Sequence, residues 1–140
     1  MSEYHFYDTS SLLLRAGSLF ENEENIVISS ITLQELEDIK TNRSKSPDVK
    51  FAARRLTALL GERPLDYEVV IFNQDMLLPF IEQSLDINND IRILASAYWY
   101  DNCVHPDEVV FVTNDLALKN IANLFFGSDN IISISEDIDD

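Results

Sequence analysis

Hydrophobic and polar positions along the chain switch repeatedly between two periods. Tyr4 to Asp8 alternates weakly, and from Ser10 to Phe20 the apolar residues Leu12, Leu13, Ala16, Leu19 and Phe20 take helical spacing, which predicts a strand and then a helix. Asn25 to Ser29 is a short β-branched run. Thr32 to Lys40 follows as a helix, with Thr32 and Glu35 spaced as a capping box, a hydroxyl three residues before a carboxylate. Asn42 to Pro47 is a polar loop, after which Pro47 suits a first helical position and Val49, Ala52, Ala53, Leu56, Leu59 and Leu60 form an apolar stripe ending at Gly61. Tyr67 to Phe72 reads as a buried strand, whereas Asn73 to Asp86 follows neither period. Asn89 to Tyr100 returns to helical spacing through Ile93, Leu94, Ala97 and Tyr98. Val109 to Thr113 is a strand, Asp115 to Phe126 a helix closed by Gly127, and Asn130 to Ile134 a last strand.

Strands that alternate with helices and read as near-continuous apolar runs predict a mostly parallel sheet covered on both faces. The expected fold class is therefore α/β, a three-layer α/β/α sandwich. At 140 residues the chain is one domain's worth, with residues 1–135 as the domain and the acidic run 136–140 as a tail or the start of a linker.

Composition narrows the function classes. Hydrophobic residues make up 46% of the chain, including eight Phe, which is ample for a core. The longest apolar runs fall far short of the roughly 18 residues that a membrane span needs. The first ten residues carry Glu3 and Asp8 without Lys, Arg or an apolar stretch, so no secretory signal is expected and the expected location is cytoplasmic. Cys103 is the single cysteine, which excludes an intrachain disulfide and a cysteine-based zinc site. The formal charge of −15 argues against gripping nucleic acid with the whole surface. Yet Lys40, Arg43, Lys45, Lys50, Arg54, Arg55 and Arg63 face only Asp48 and Glu62 between positions 40 and 63, a net of +5. A polyanion can dock only there, although charge runs also mark ordinary solvated surface.

In open parallel sheets ligands bind beyond the carboxyl ends of the strands. Asp8 ends the first strand and Asp115 follows the fourth, while Glu35 and Asp90 lie near helix starts expected at that same edge. Clustered carboxylates raise one another's pKa and are tolerated chiefly when a hard cation neutralises them, which points to Mg²⁺ or Mn²⁺ and to phosphodiester hydrolysis. A structural role is also open to each acid. Glu35 can be the capping partner of Thr32, and Asp8, Asp90 and Asp115 can cap or favour helix starts.

The strings Y-D-T-S-S-L-L, I-S-S-I-T-L-Q-E-L-E-D-I-K, N-N-D-I-R-I-L-A-S-A and V-F-V-T-N-D-L-A-L-K, in that order, resemble the PIN domain family of metal-dependent ribonucleases. Within it the chain looks most like the branch found ahead of PhoH-type ATPase domains, because L-E-D-I-K is followed by a polar loop and then A-A-R-R-L-T-A-L-L; bacterial toxin PIN domains come next. The resemblance implies that Asp8, Glu35, Asp90 and Asp115 bind the metal, with Thr113, Asn89, Asn114 and Ser10 in support. It further implies cleavage of single-stranded RNA by a metal-activated water, leaving a 5′-phosphate and a 3′-hydroxyl. Lys40, Arg43, Lys45, Lys50, Arg54 and Arg55 are the expected RNA-binding residues. Expected partners besides RNA are a PhoH-type ATPase domain or an antitoxin, with a homodimer plausible for the family and no membrane.

Two other classes compete with a nuclease. One is a binding module that keeps the fold and acids without turnover, tethering RNA or a protein partner. The other, a phospho-acceptor receiver domain, requires a Lys after the last strand, and none follows Ile134. His5 and His105 are not expected to act as bases. Asp86 and Asp101 are candidate auxiliary acids near Asp90 but read rather as solvated surface, Arg92 can reach phosphate or pair with an acid, and Tyr98, Trp99 and Tyr100 can stack on bases but point in different directions on a helix, at least one of them into the core.

Overall fold

The computed structural model describes residues 3–21 and 23–134; the predicted acidic tail lies outside the described residues. Five strands, β1 (Tyr4–Tyr7), β2 (Ile26–Ser29), β3 (Tyr67–Val70), β4 (Val109–Thr113) and β5 (Ile131–Ser133), form one sheet in the order β3-β2-β1-β4-β5, every pair parallel. Six α-helices accompany it: α1 (Thr9–Leu14), α2 (Ser30–Thr41), α3 (Pro47–Glu62), α4 (Leu78–Glu82), α5 (Asn89–Cys103) and α6 (Leu116–Ala122).

Alternation along the strands sorts the side chains into two cores. Phe6, Val27, Val70, Val109 and Phe111 face the layer made by α4, α5 and α6. Tyr7, Ile26, Ile28 and Val112 face α1, α2 and α3. The result is the expected three-layer α/β/α sandwich, with β4 buried at all five positions and β2 at all four.

Several element ends differ from the sequence reading, each for a local reason. The first helix stops at Leu14, because residues 15–21 tighten into successive i→i+3 turns (Ser18 N–H to Arg15 O at 2.9 Å, Glu21 N–H to Ser18 O at 3.1 Å) that bring Leu19 to the core without a helix. The capping box of Thr32 and Glu35 does not form. Ser29 caps α2, its Oγ accepting from Ile31 N–H at 3.1 Å, so the helix begins two residues earlier and Thr32 lies buried inside it. β3 ends at Val70 because the Phe72 N–H donates to Ser30 Oγ at 3.0 Å. The ambiguous stretch resolves into a 3₁₀ turn at Gln74–Leu77 and the short α4. After Ala122 the chain turns, Phe126 N–H returning to Ala122 O at 2.8 Å, so α6 is shorter than expected. No helix among the described residues is long and apolar enough to cross a membrane.

Candidate metal centre

Because all strands run parallel, their carboxyl ends share one edge. The chain leaves β1 toward β2 on one side, while β4 lies on the other, so the β1/β4 boundary is the switch point at which α/β sheets open a crevice. Asp8 follows β1 directly, Asp115 follows β4 by two residues, Glu35 is in the second turn of α2, and Asp90 is in the first turn of α5.

Asp8 is 2% exposed and fully engaged. Its Oδ1 accepts the Ser11 N–H at 2.9 Å, which caps α1, and its Oδ2 accepts the Thr113 hydroxyl at 2.5 Å. Ser10 Oγ stands 3.2 Å from the same carboxylate. The Thr113 hydroxyl in turn accepts the Asp115 N–H at 3.0 Å, tying the two acids together through one buried side chain. Asp115 caps α6 through the Leu118 N–H at 3.2 Å, and Asn114 lies half-buried beside it. Capping and clustering are thus not alternatives, since Asp8 and Asp115 do both.

Glu35 is held from two sides. Thr9 donates to its Oε1 at 2.6 Å, and Asn89 Nδ2 lies 3.5 Å from its Oε2. Arg92 donates to Asn89 Oδ1 at 2.8 Å, which orients that amide. The Thr9 hydroxyl also stands 3.1 Å from Thr32 Oγ1. Thr9 and Arg92 were not singled out as supports by the sequence reading, although Thr9 directly follows Asp8 and so had to emerge at the same edge.

Asp90 reports on the field of the others. It keeps access to solvent, yet partial desolvation, followed by the charges of Glu35, Asp115 and Asp8, raises its pKa above the ordinary carboxylate value. An all-oxygen, anionic donor set of this kind suits a hard divalent cation such as Mg²⁺ or Mn²⁺. Among the described residues no three His, Cys, Asp or Glu side chains are drawn into a group that could hold an ion.

The remaining candidates separate. Asp101 sits in the last turn of α5, about 16 Å along the helix from Asp90 at 1.5 Å per residue, so it cannot join the cluster. Asp86 is exposed. His5 lies between Glu3 and Glu23, and His105 stacks on Tyr4 with ring centroids 3.8 Å apart. Tyr98 packs on Phe80 and Phe125, Tyr100 is buried and donates to Glu68 at 2.8 Å, and Trp99 points outward. Of the basic residues, Lys40 pairs with Glu37 at 2.5 Å, and Arg63 pairs with Asp66 at 2.6 Å and lies over the Phe20 ring. The Arg55 guanidinium rests against the backbone of Gly17, where a β-carbon would meet it at 2.8 Å. Arg43, Lys45, Lys50 and Arg54 make no ion pair among the described residues.

No curated protein gives a significant match to this chain. Among solved structures it is similar to a chain of VapBC2 from Rickettsia felis, crystallised bound to a DNA fragment from their promoter, at 18% identity over 94% of this chain and 97% of that one, with a TM-score of 0.52. It is also similar to the PIN domain of T. brucei RRP44, at 19% identity over 96% of this chain and 77% of that one, with a TM-score of 0.55. At such identities the likeness is one of fold. The sequence profile described as PIN domain matches residues 6–125, nearly the whole sandwich and all four acids, and the chain belongs to the PIN domain family.

Proposed function

We propose that this chain is a Mg²⁺- or Mn²⁺-dependent endoribonuclease acting on single-stranded RNA. Family membership supports a nuclease-type function in general. The observation that carries the finer reading is the convergence of Asp8, Glu35, Asp90 and Asp115, from four separate stretches of chain, at the β1/β4 switch point.

In this reading Asp8, Asp90 and Asp115 hold the cation and Glu35 ligates it or orients the attacking water. A bound divalent cation supplies Lewis acidity beside the scissile phosphate and makes water a nucleophile near neutral pH. Thr113, Ser10 and the Ser11 N–H fix the Asp8 carboxylate before any ligand arrives, and Thr9 with Asn89 does the same for Glu35. Arg43, Lys45, Lys50 and Arg54 receive the phosphates of the strand, with Lys40 and Arg55 less free to do so. With a net charge of −15, binding is weak and falls steeply with salt. The L-E-D-I-K and A-A-R-R-L-T-A-L-L strings support a PhoH-type ATPase domain as partner, and the likeness to VapBC2 supports an antitoxin.

The test is cleavage of an end-labelled unstructured RNA in Mn²⁺, Mg²⁺ or EDTA at low salt, with wild type, Asp8→Asn and Asp115→Asn. Metal-dependent products that both folded variants lose support the reading. Intact RNA in every lane, with calorimetry still detecting a metal that needs Asp8 and Asp115, overturns it in favour of a binding module.

A further inference from the structure

Helix α3 buries Ala53, Leu56 and Leu60 against α1, α2 and the sheet. Phe51 is on the opposite face and is 61% exposed, the most open aromatic side chain in the chain. An apolar ring at that position contributes nothing to the core and leaves most of its surface in water, an arrangement that a partner would relieve.

Its surroundings identify the partner. Arg54 and Arg55 follow at i+3 and i+4, the spacing that brings side chains onto one helical face, and Lys50 is adjacent in sequence. Arg43 and Lys45, exposed in the loop between α2 and α3, belong to the same net +5 segment of a chain that is otherwise net −20. A flat, apolar ring on a net-positive stretch of helix and loop, with Asp48 as the one acid at i−3, matches a ligand that carries aromatic faces and phosphates together. Unpaired nucleotides offer both, whereas a duplex keeps its base faces stacked inside.

We infer that Phe51 is a stacking platform for an unpaired base of a single-stranded nucleic acid, with Arg54, Lys50, Arg43 and Lys45 taking the neighbouring phosphates. This deepens the ribonuclease reading and rests on it for the substrate class. Stacking on a phenyl ring uses no hydrogen bond, so the platform selects for single-strandedness and tolerates any base.

The test is binding of a fluorescent unstructured oligoribonucleotide, the same sequence as a duplex, and inorganic polyphosphate, measured in EDTA at low salt. Wild type, Phe51→Ala and Phe51→Trp are compared, all checked for folding. Phe51→Ala is expected to weaken the single strand by about 5- to 100-fold and to leave polyphosphate unchanged, while Phe51→Trp retains affinity. The new indole should be quenched by RNA and not by polyphosphate. Equal loss for RNA and polyphosphate, equal Phe51 dependence for the duplex, or no loss at all overturns the platform, the last assigning the ring to a protein partner. If wild type lacks metal-dependent cleavage but the RNA-specific loss persists, the platform stands and the nuclease reading falls. If cleavage stands and the loss is missing, only the platform falls.

Discussion

Thr113→Val removes one oxygen atom and changes little else in shape. The Thr113 side chain is 0% exposed, donates to Asp8 Oδ2 at 2.5 Å and accepts from the Asp115 N–H at 3.0 Å. A bond to a buried carboxylate contributes about 1.5–3 kcal/mol, and a partly buried N–H left without an acceptor costs about 1 kcal/mol more. Ser10 remains 3.2 Å from Asp8 and recovers a little of the loss, so the expected destabilisation is about 2–4 kcal/mol. Against a total of about 5–15 kcal/mol this is large. Urea unfolding in EDTA should show it as a midpoint lowered by about 1–2 M, given a slope of about 2 kcal/mol per molar. Thr113→Ser keeps the hydroxyl and loses a methyl group, and should cost about 1 kcal/mol. A valine variant within about 0.5 kcal/mol of wild type, or a serine variant as unstable as valine, would refute the reasoning.

Three further outcomes follow from the same geometry. Burial, then Glu35, Asp115 and Asp8, raise the pKa of Asp90, so its ionised form works against folding although the α5 N-terminus favours negative charge; the penalty is absent below 3.8 and is complete once pH has risen through the raised value. Without metal, Asp90→Asn should therefore melt above wild type at neutral pH, with the gap closing as pH falls toward about 4, and a gap that widens on acidification would reverse the sign. Mn²⁺ at about 100 times its dissociation constant should stabilise wild type by about 2.7 kcal/mol in thermal unfolding, and Asp8→Asn should show no such shift. Tyr7 is fully buried, its pKa pushed up by burial and then by Glu23, yet among the described residues its hydroxyl has no partner in hydrogen-bond geometry. Tyr7→Phe should be neutral or stabilising by up to about 1 kcal/mol in chemical denaturation, and a loss above about 1.5 kcal/mol would reveal a bond to Glu23.

How much was legible in the sequence varies with how local the cause is. β4 reads correctly from Val109 to Thr113 because an unbroken apolar run between polar residues has a single solution in a parallel sheet. Glu35 was misread as half of a capping box because Ser29 and Thr32 both offer a hydroxyl, and only packing decides that Ser29 caps while Thr32 turns to Thr9. Leu19 and Phe20 looked helical because the spacing cannot separate a helix from a run of tight turns. The placement of Asp8 and Asp115 at one edge was legible from topology alone. Their bond through Thr113 was not, since it joins residues 105 positions apart. Trp99, Tyr98 and Tyr100 illustrate the same limit, adjacent in sequence and sent to three environments by the helix.

The order of the strands also sets a schedule. β1 is made early and lies in the middle of the sheet, between β2, which follows within about one helix, and β4, which comes near the other end of the chain. A nascent chain can close β1 against β2 and β3 while the opposite flank of β1 is still bare. Until residues 109–115 emerge, Asp8 lacks the Thr113 hydroxyl and the cluster lacks Asp115 altogether. Long-range parallel pairing is a slow step in folding, so the acids meet only after residues 109–115 have been made and β4 has docked on β1. A chain stalled or clipped before Val109 carries three of the four acids and no assembled centre, which confines whatever chemistry the centre performs to molecules in which β4 has docked beside β1.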